Sequence, residues 1–109
     1  MTDIKLSSDL LRGHTDTIIL KLLQGADKYG YEITKLVAEY SGQQYELKEA
    51  TMYSSLKRLE NDGFIASYWG DETQGGRRKY YSITDRGREL YKSNMDNWTY
   101  AKKLLEKLL

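Results

Sequence analysis

Arg77, Arg78 and Lys79 stand in a row directly after Gly75 and Gly76, and a run of aromatic and β-branched residues, KYYSI, starts at the last of them. Upstream, Glu49 to Asp62 carries Thr51, Ser54, Ser55, Lys57 and Arg58, with Tyr53 beside them. Between them Met52, Leu56 and Leu59 recur at the spacing of a buried helix face. Guanidinium, ammonium and hydroxyl groups donate to phosphate oxygens and base edges, so the chemistry on offer is non-covalent recognition of nucleic acid. Alternate side chains of a β-ribbon point to opposite faces, which puts Arg77 and Lys79 on one side and Arg78 on the other. Asp71 and Glu72, in the same turn, partly offset the charge. Few phosphate contacts and a moderate, salt-dependent affinity follow. A solvated helix face and a solvated hairpin tip would use the same residue types, so the neighbouring elements have to decide.

Those elements can be placed from pattern. Ser7 or Ser8 caps a helix over 8–24, with Leu11, Ile18, Leu22 and Leu23 on one face and Gly25 just past its end. Tyr29 to Glu39 forms a second helix, with Ile33, Leu36, Val37 and Tyr40 on one side, ended by Ser41 and Gly42. Gln43 to Lys48 is an extended link. Glu49 opens the third helix with negative charge where the helix dipole favours it, and Gly63 closes it. Phe64 to Trp69 and Lys79 to Ile83 read as strands around a polar turn in which the Gly75-Gly76 pair allows positive φ. Thr84, followed by Asp85, caps a last helix that runs to Leu109. The expected fold is mainly α with a small β-wing (α+β). Residues 1–84 form a winged helix-turn-helix, and residues 85–109 a C-terminal dimerisation helix packed with the 8–24 helix. In that layout one helix enters the major groove and the ribbon touches backbone.

Composition narrows the field further. At 109 residues the chain has the length of one domain. It has no cysteine, which removes disulfides and thiolate zinc sites and suits a reducing cytoplasm. The first residues show no basic region followed by an apolar stretch, so no signal peptide is expected. The apolar run from Ile18 to Leu23 is broken by Lys21 and too short to span a bilayer, so no membrane partner is expected. A net charge of +1 excludes a uniformly basic coat but not a clustered one. His14 is the only histidine; a metal site there would need carboxylates such as Asp16 to complete it, and an ordinary polar interface histidine is the expectation. No nucleophile constellation or glycine-rich phosphate loop is present, so neither enzyme activity nor a cofactor is expected.

The last helix carries a second pattern. Tyr91, Met95, Trp98, Ala101, Leu105 and Leu108 step by four, three, three, four and three, a heptad-like seam. Such a helix beyond a complete winged fold is expected to pack on a second copy of the chain, with Leu11 and Ile18 of the first helix as partner surface. Folding back on its own domain would use the same pattern. Trp98 sits mid-seam between the smaller Asn94 and Ala101, so two indoles facing across a dimer axis could form a slot for a flat aromatic compound. A packed interface tryptophan without a cavity has the same periodicity.

ATMYSSLKRLENDGFI followed by GGRRKYYSIT resembles the signature of the PadR family of bacterial transcriptional regulators, and the short tail resembles its smaller branch, which includes multidrug-sensing repressors. The resemblance implies a homodimeric repressor that binds operator DNA and lets go when an effector binds. It implies a recognition helix at Glu49 to Asp62, with Thr51, Tyr53, Ser54, Lys57 and Arg58 as DNA contacts. The wing would be Gln74, Gly75, Gly76, Arg77, Arg78 and Lys79, and Tyr31 and Lys35 would hold the backbone. It also implies an interfacial cavity for a small hydrophobic or aromatic effector, lined by Leu10, Gly13, Asp16, Thr17, Leu90, Asn94, Met95, Trp98 and Lys102. Asn94 and Lys102 make that lining polar, which argues against a preference for greasy cations. A winged-helix protein-interaction module without a DNA target is the alternative, supported by the weak net charge of the wing. A ligand-carrying dimer with incidental DNA activity is a further one.

Overall fold

The computed structural model describes residues 8–70 and 77–109. In chain order the elements are α1 (Ser8–Arg12), α2 (Thr15–Gly25), β1 (Lys28–Tyr29), α3 (Gly30–Tyr40), α4 (Glu49–Asn61), β2 (Ile65–Trp69), β3 (Lys79–Ile83) and α5 (Asp85–Leu108). The strands form one antiparallel sheet in the order β1-β3-β2. Ile19, Leu20 and Leu23 of α2, Ile33 of α3, Met52, Leu56 and Leu59 of α4 and Ile65 of β2 are fully buried together and form the core. The three helices and the sheet thus share one interior, with the polar side of α4 left outside it.

Two local readings need correction. The expected helix over 8–24 is two helices, broken at Gly13 and His14. Gly13 loses more backbone freedom in a helix than any other residue would, and the His14 N–H closes a tight turn onto the Leu11 carbonyl at 2.9 Å. The buried Thr15 hydroxyl then donates to the Arg12 carbonyl at 3.1 Å, satisfying an orphan acceptor at the end of α1. The second correction is β1. Lys28 and Tyr29 pair with Tyr81 and Tyr80, which adds a third strand and moves the start of α3 to Gly30. Two residues are too few to show an alternating pattern, so this strand leaves no periodic signal.

Other boundaries follow the pattern. Gly63, with φ +81°, ends α4: its N–H donates to the Glu60 carbonyl and that of Phe64 to the Leu59 carbonyl, the paired bonds of a Schellman motif. The Thr84 hydroxyl accepts from the Gly87 N–H at 3.1 Å and itself donates to the Gly63 carbonyl at 2.8 Å, tying the start of α5 to the end of α4. Ser7 and the Gly75-Gly76 turn lie outside the described residues. Among the described residues no helix is long and apolar enough to cross a membrane.

Candidate nucleic-acid interface

Met52, Ser55, Leu56 and Leu59 face the core from α4, which leaves Thr51, Tyr53, Ser54, Lys57 and Arg58 exposed. The helix is held from two sides. Gly30, first residue of α3, has no room for a Cβ against the Tyr53 ring and the Met52 side chain, so the two helices meet closely there. On the other side the Ser67 hydroxyl of β2 donates to the Glu60 carboxylate of α4. Sequence-distant elements therefore fix the direction in which the polar face of α4 looks.

The wing residues divide by face as strand alternation requires. Ile65, Ser67 and Trp69 of β2 stand opposite Ile83, Tyr81 and Lys79 of β3, on the face that packs toward the core and α4. Burial there pushes the Tyr81 phenol up from its ordinary value, with the Glu60 charge adding to the effect. The Arg77 guanidinium lies 5.6 Å from the Trp69 ring centre and the Lys79 ammonium 5.8 Å from that of Tyr81, so both belong to this face. Arg78 lies 4.5 Å over the Tyr29 ring on the opposite face, where Tyr29, Tyr80 and Tyr68 follow one another in ring contact. Tyr68 closes that row with a 2.6 Å hydrogen bond to Asp27, which pushes its own phenol up. Trp69 is 57% exposed beside Arg77. Its type alone reads as a strand-former, and only the register places it next to the basic run. Gln74, Gly75 and Gly76 lie outside the described residues.

Tyr31 and Lys35 are exposed on α3 and line a cleft of about 610 Å³ with Leu47, Lys48 and Glu49 at the entry to α4. Glu39 and Glu46 share the cleft, so it is mixed in charge rather than basic.

Arg58 is not an isolated surface base. Its Nη1 donates to Asp16 Oδ2 at 2.5 Å and its Nη2 to Asp16 Oδ1 at 3.0 Å, joining α4 to the first turn of α2. That hydrogen bond, and then the Asp16 charge, hold the guanidinium above its ordinary pKa. Asp16 is thus turned toward α4, and of the residues with which the resemblance groups it as effector lining only Gly13 shares its cleft. Thr17, His14 and α5 do come together. Asn94 donates to the Thr17 hydroxyl at 3.0 Å, the His14 ring meets Trp98 edge-on at 5.0 Å between centres, and the Lys102 ammonium lies 5.5 Å from the Trp98 ring centre. Leu90 packs against the core, Met95 is half-buried, and Leu10 and Gly13 are exposed.

Of the seam residues, Ile18 and Tyr91 pack against the chain's own core, and Leu11 and Ala101 are half-buried. Trp98, Leu105 and Leu108 are 38%, 47% and 71% exposed.

The model of the PadR-like family of transcriptional regulators matches residues 19–93, which covers all of the core, α4 and the wing. The chain belongs to this family. PadR-like proteins are regulators of transcription rather than enzymes. A transcriptional regulator from Clostridium thermocellum is similar in structure with a TM-score of 0.87 and 47% identity, over 94% of this chain and 96% of that one. The PadR regulator from Clostridium difficile R20291 is 40% identical with a TM-score of 0.77, over 88% and 98% of the two chains. The PadR of Bacillus subtilis, a negative transcriptional regulator, is 34% identical over 71 residues, 65% of this chain and 39% of that protein. Its structure in complex with operator DNA matches with a TM-score of 0.66 and 30% identity, over 73% of this chain and 46% of that one.

Proposed function

We propose that this PadR-like chain is a dimeric cytoplasmic repressor that binds a near-palindromic operator through α4 and the wing. The observation that carries the reading is that Arg77 and Lys79 share the sheet face that packs toward α4, while α4 keeps Thr51, Ser54 and Lys57 exposed. Hydroxyls and a lysine on a helix suit base edges and phosphates, and bases on a ribbon suit the flanking backbone. Tyr31 and Lys35 extend the same surface onto α3. Two copies joined through α5 would present two such helices to successive major grooves, about 34–36 Å apart.

The exposed leucines at the end of α5 favour a second copy as their cover. An effector would sit where α2 and α5 meet, against Trp98. The Lys102 ammonium over that ring favours a planar aromatic compound carrying negative charge over a cation. Such a ligand would act through unequal affinity for two spacings of the DNA-binding heads.

A mobility-shift titration on a palindrome from the chain's own promoter tests the DNA reading, and absence of a shift at low salt refutes it. Replacing Arg77 and Lys79 with alanine should weaken binding to all sequences and flatten its dependence on salt. Quenching of Trp98 fluorescence by planar aromatic acids, lost in Trp98→Ala but not in Trp69→Phe, tests the effector reading.

A further inference from the structure

We propose that Asp16 sets the affinity of this regulator for DNA by holding Arg58 of the recognition helix away from the phosphate backbone. The proposal rests on the DNA-binding reading above and adds to it a residue whose effect is to weaken binding. The two side chains meet as a fork, Nη1 donating to one carboxylate oxygen and Nη2 to the other, and Nη2 also donates to the buried Ser55 hydroxyl at 3.4 Å. Three of the five guanidinium donors are therefore engaged within the chain, although the side chain itself is 55% exposed. Asp16 is in the first turn of α2, where the helix dipole favours a carboxylate.

Arg58 follows Thr51 by seven residues and so shares its side of α4, on the flank of the exposed face. That flank and the start of α2 enclose an open cleft of about 410 Å³, lined by Arg12, Gly13, Thr15, Thr51 and Ser54 around the Asp16–Arg58 pair. A long side chain on the flank of a recognition helix is placed for phosphate rather than for base edges. To reach phosphate, Arg58 must leave Asp16. One charge-assisted bond is then exchanged for another of similar strength. The exchange also strands a carboxylate beside the negative field of the duplex. Paired, the two charges cancel and Arg58 adds little to counterion release.

Asp16→Asn keeps the side chain's shape and one acceptor oxygen but removes the charge; Asp16→Ser serves as a second variant. The full chain is titrated by fluorescence anisotropy against a palindromic duplex from its own promoter and against an unrelated duplex of equal length, across a series of salt concentrations. Both variants should bind both duplexes more tightly, by roughly tenfold, and the salt slope should steepen by about 0.9 for each additional phosphate neutralised. In an Arg58→Ala background the same substitutions should relieve only the repulsion of the unpaired carboxylate and tighten binding by much less, without the added phosphate contact in the salt slope, and thermal melts should show each variant folded. A strut without influence on DNA would change melting but not the salt slope. Weaker or unchanged binding by the variants, with the parent binding normally, overturns the proposal, as does a tightening of undiminished size without Arg58. Failure of parent and variants alike to bind either duplex overturns the DNA reading and the proposal with it.

Discussion

Along α5, Gly87, Leu90, Tyr91 and Asn94 lie against the chain's own domain, whereas Leu104, Leu105 and Leu108 lie in the open. Both stretches carry apolar residues at three- and four-residue steps. The difference lies in what stands opposite. The first half meets β3 and the flank of α2, and is pinned at its start by Thr84 and Gly87. The helix is long for the head it starts on, 24 residues at 1.5 Å each reaching roughly 36 Å, and the leucines of its second half stay exposed. Amphipathic spacing thus marks an apolar face but does not say which surface, if any, lies against it.

Four variants would break or sharpen this contrast. The largest effect belongs to Gly87. A Cβ there would overlap the Phe64 carbonyl oxygen and the Ile83 side chain, so Gly87→Ala should cost on the order of 3 kcal/mol or more in urea unfolding. On an exposed helix the same change would stabilise by about 1 kcal/mol, and a rise of that size would mean that the first half of α5 is not seated on the domain. Leu105→Lys together with Leu108→Lys should leave the head's unfolding unchanged while weakening the proposed dimer on the order of a hundredfold, as read by sedimentation. A drop in head stability instead would place the tail on its own domain. Thr84→Ala removes the cap and should cost about 1 kcal/mol of stability without altering self-association. Asn94→Ala, which deletes one half-buried bond to Thr17, should cost about 0.5–1 kcal/mol. That loss would fall on folding alone if Asn94 serves only the intramolecular half, and on self-association as well if the interface reaches it.

Much of the scaffold is legible because single residues announce boundaries. Gly63 and Thr84 mark the ends of elements through backbone rules that need no partner. Met52, Leu56 and Leu59 mark the inner face of α4 and so, by elimination, its outer face. The split of Arg77 and Lys79 from Arg78 follows from strand alternation alone. The break at Gly13 and His14 is hidden because apolar spacing continues across it from Leu11 to Ile18, and a periodic pattern does not register a change of axis. β1 is hidden because its two residues are defined only by the strand they join.

By itself, then, the order of residues determined where α3, α4, the two long strands and α5 form, which face of each helix is apolar, and that a basic ribbon follows a polar-faced helix. These properties depend on neighbours a few positions away, through backbone dihedrals, capping and helical or strand periodicity. The pairing of Asp16 with Arg58, of Trp69 with Arg77 and of His14 with Trp98 was decided only by tertiary structure. Each joins residues separated by a turn, a helix or most of the chain, and packing of the shared core sets where their backbones lie. That is why two residues that the sequence assigns to different sites, one as effector lining and one as a DNA contact, are found holding each other.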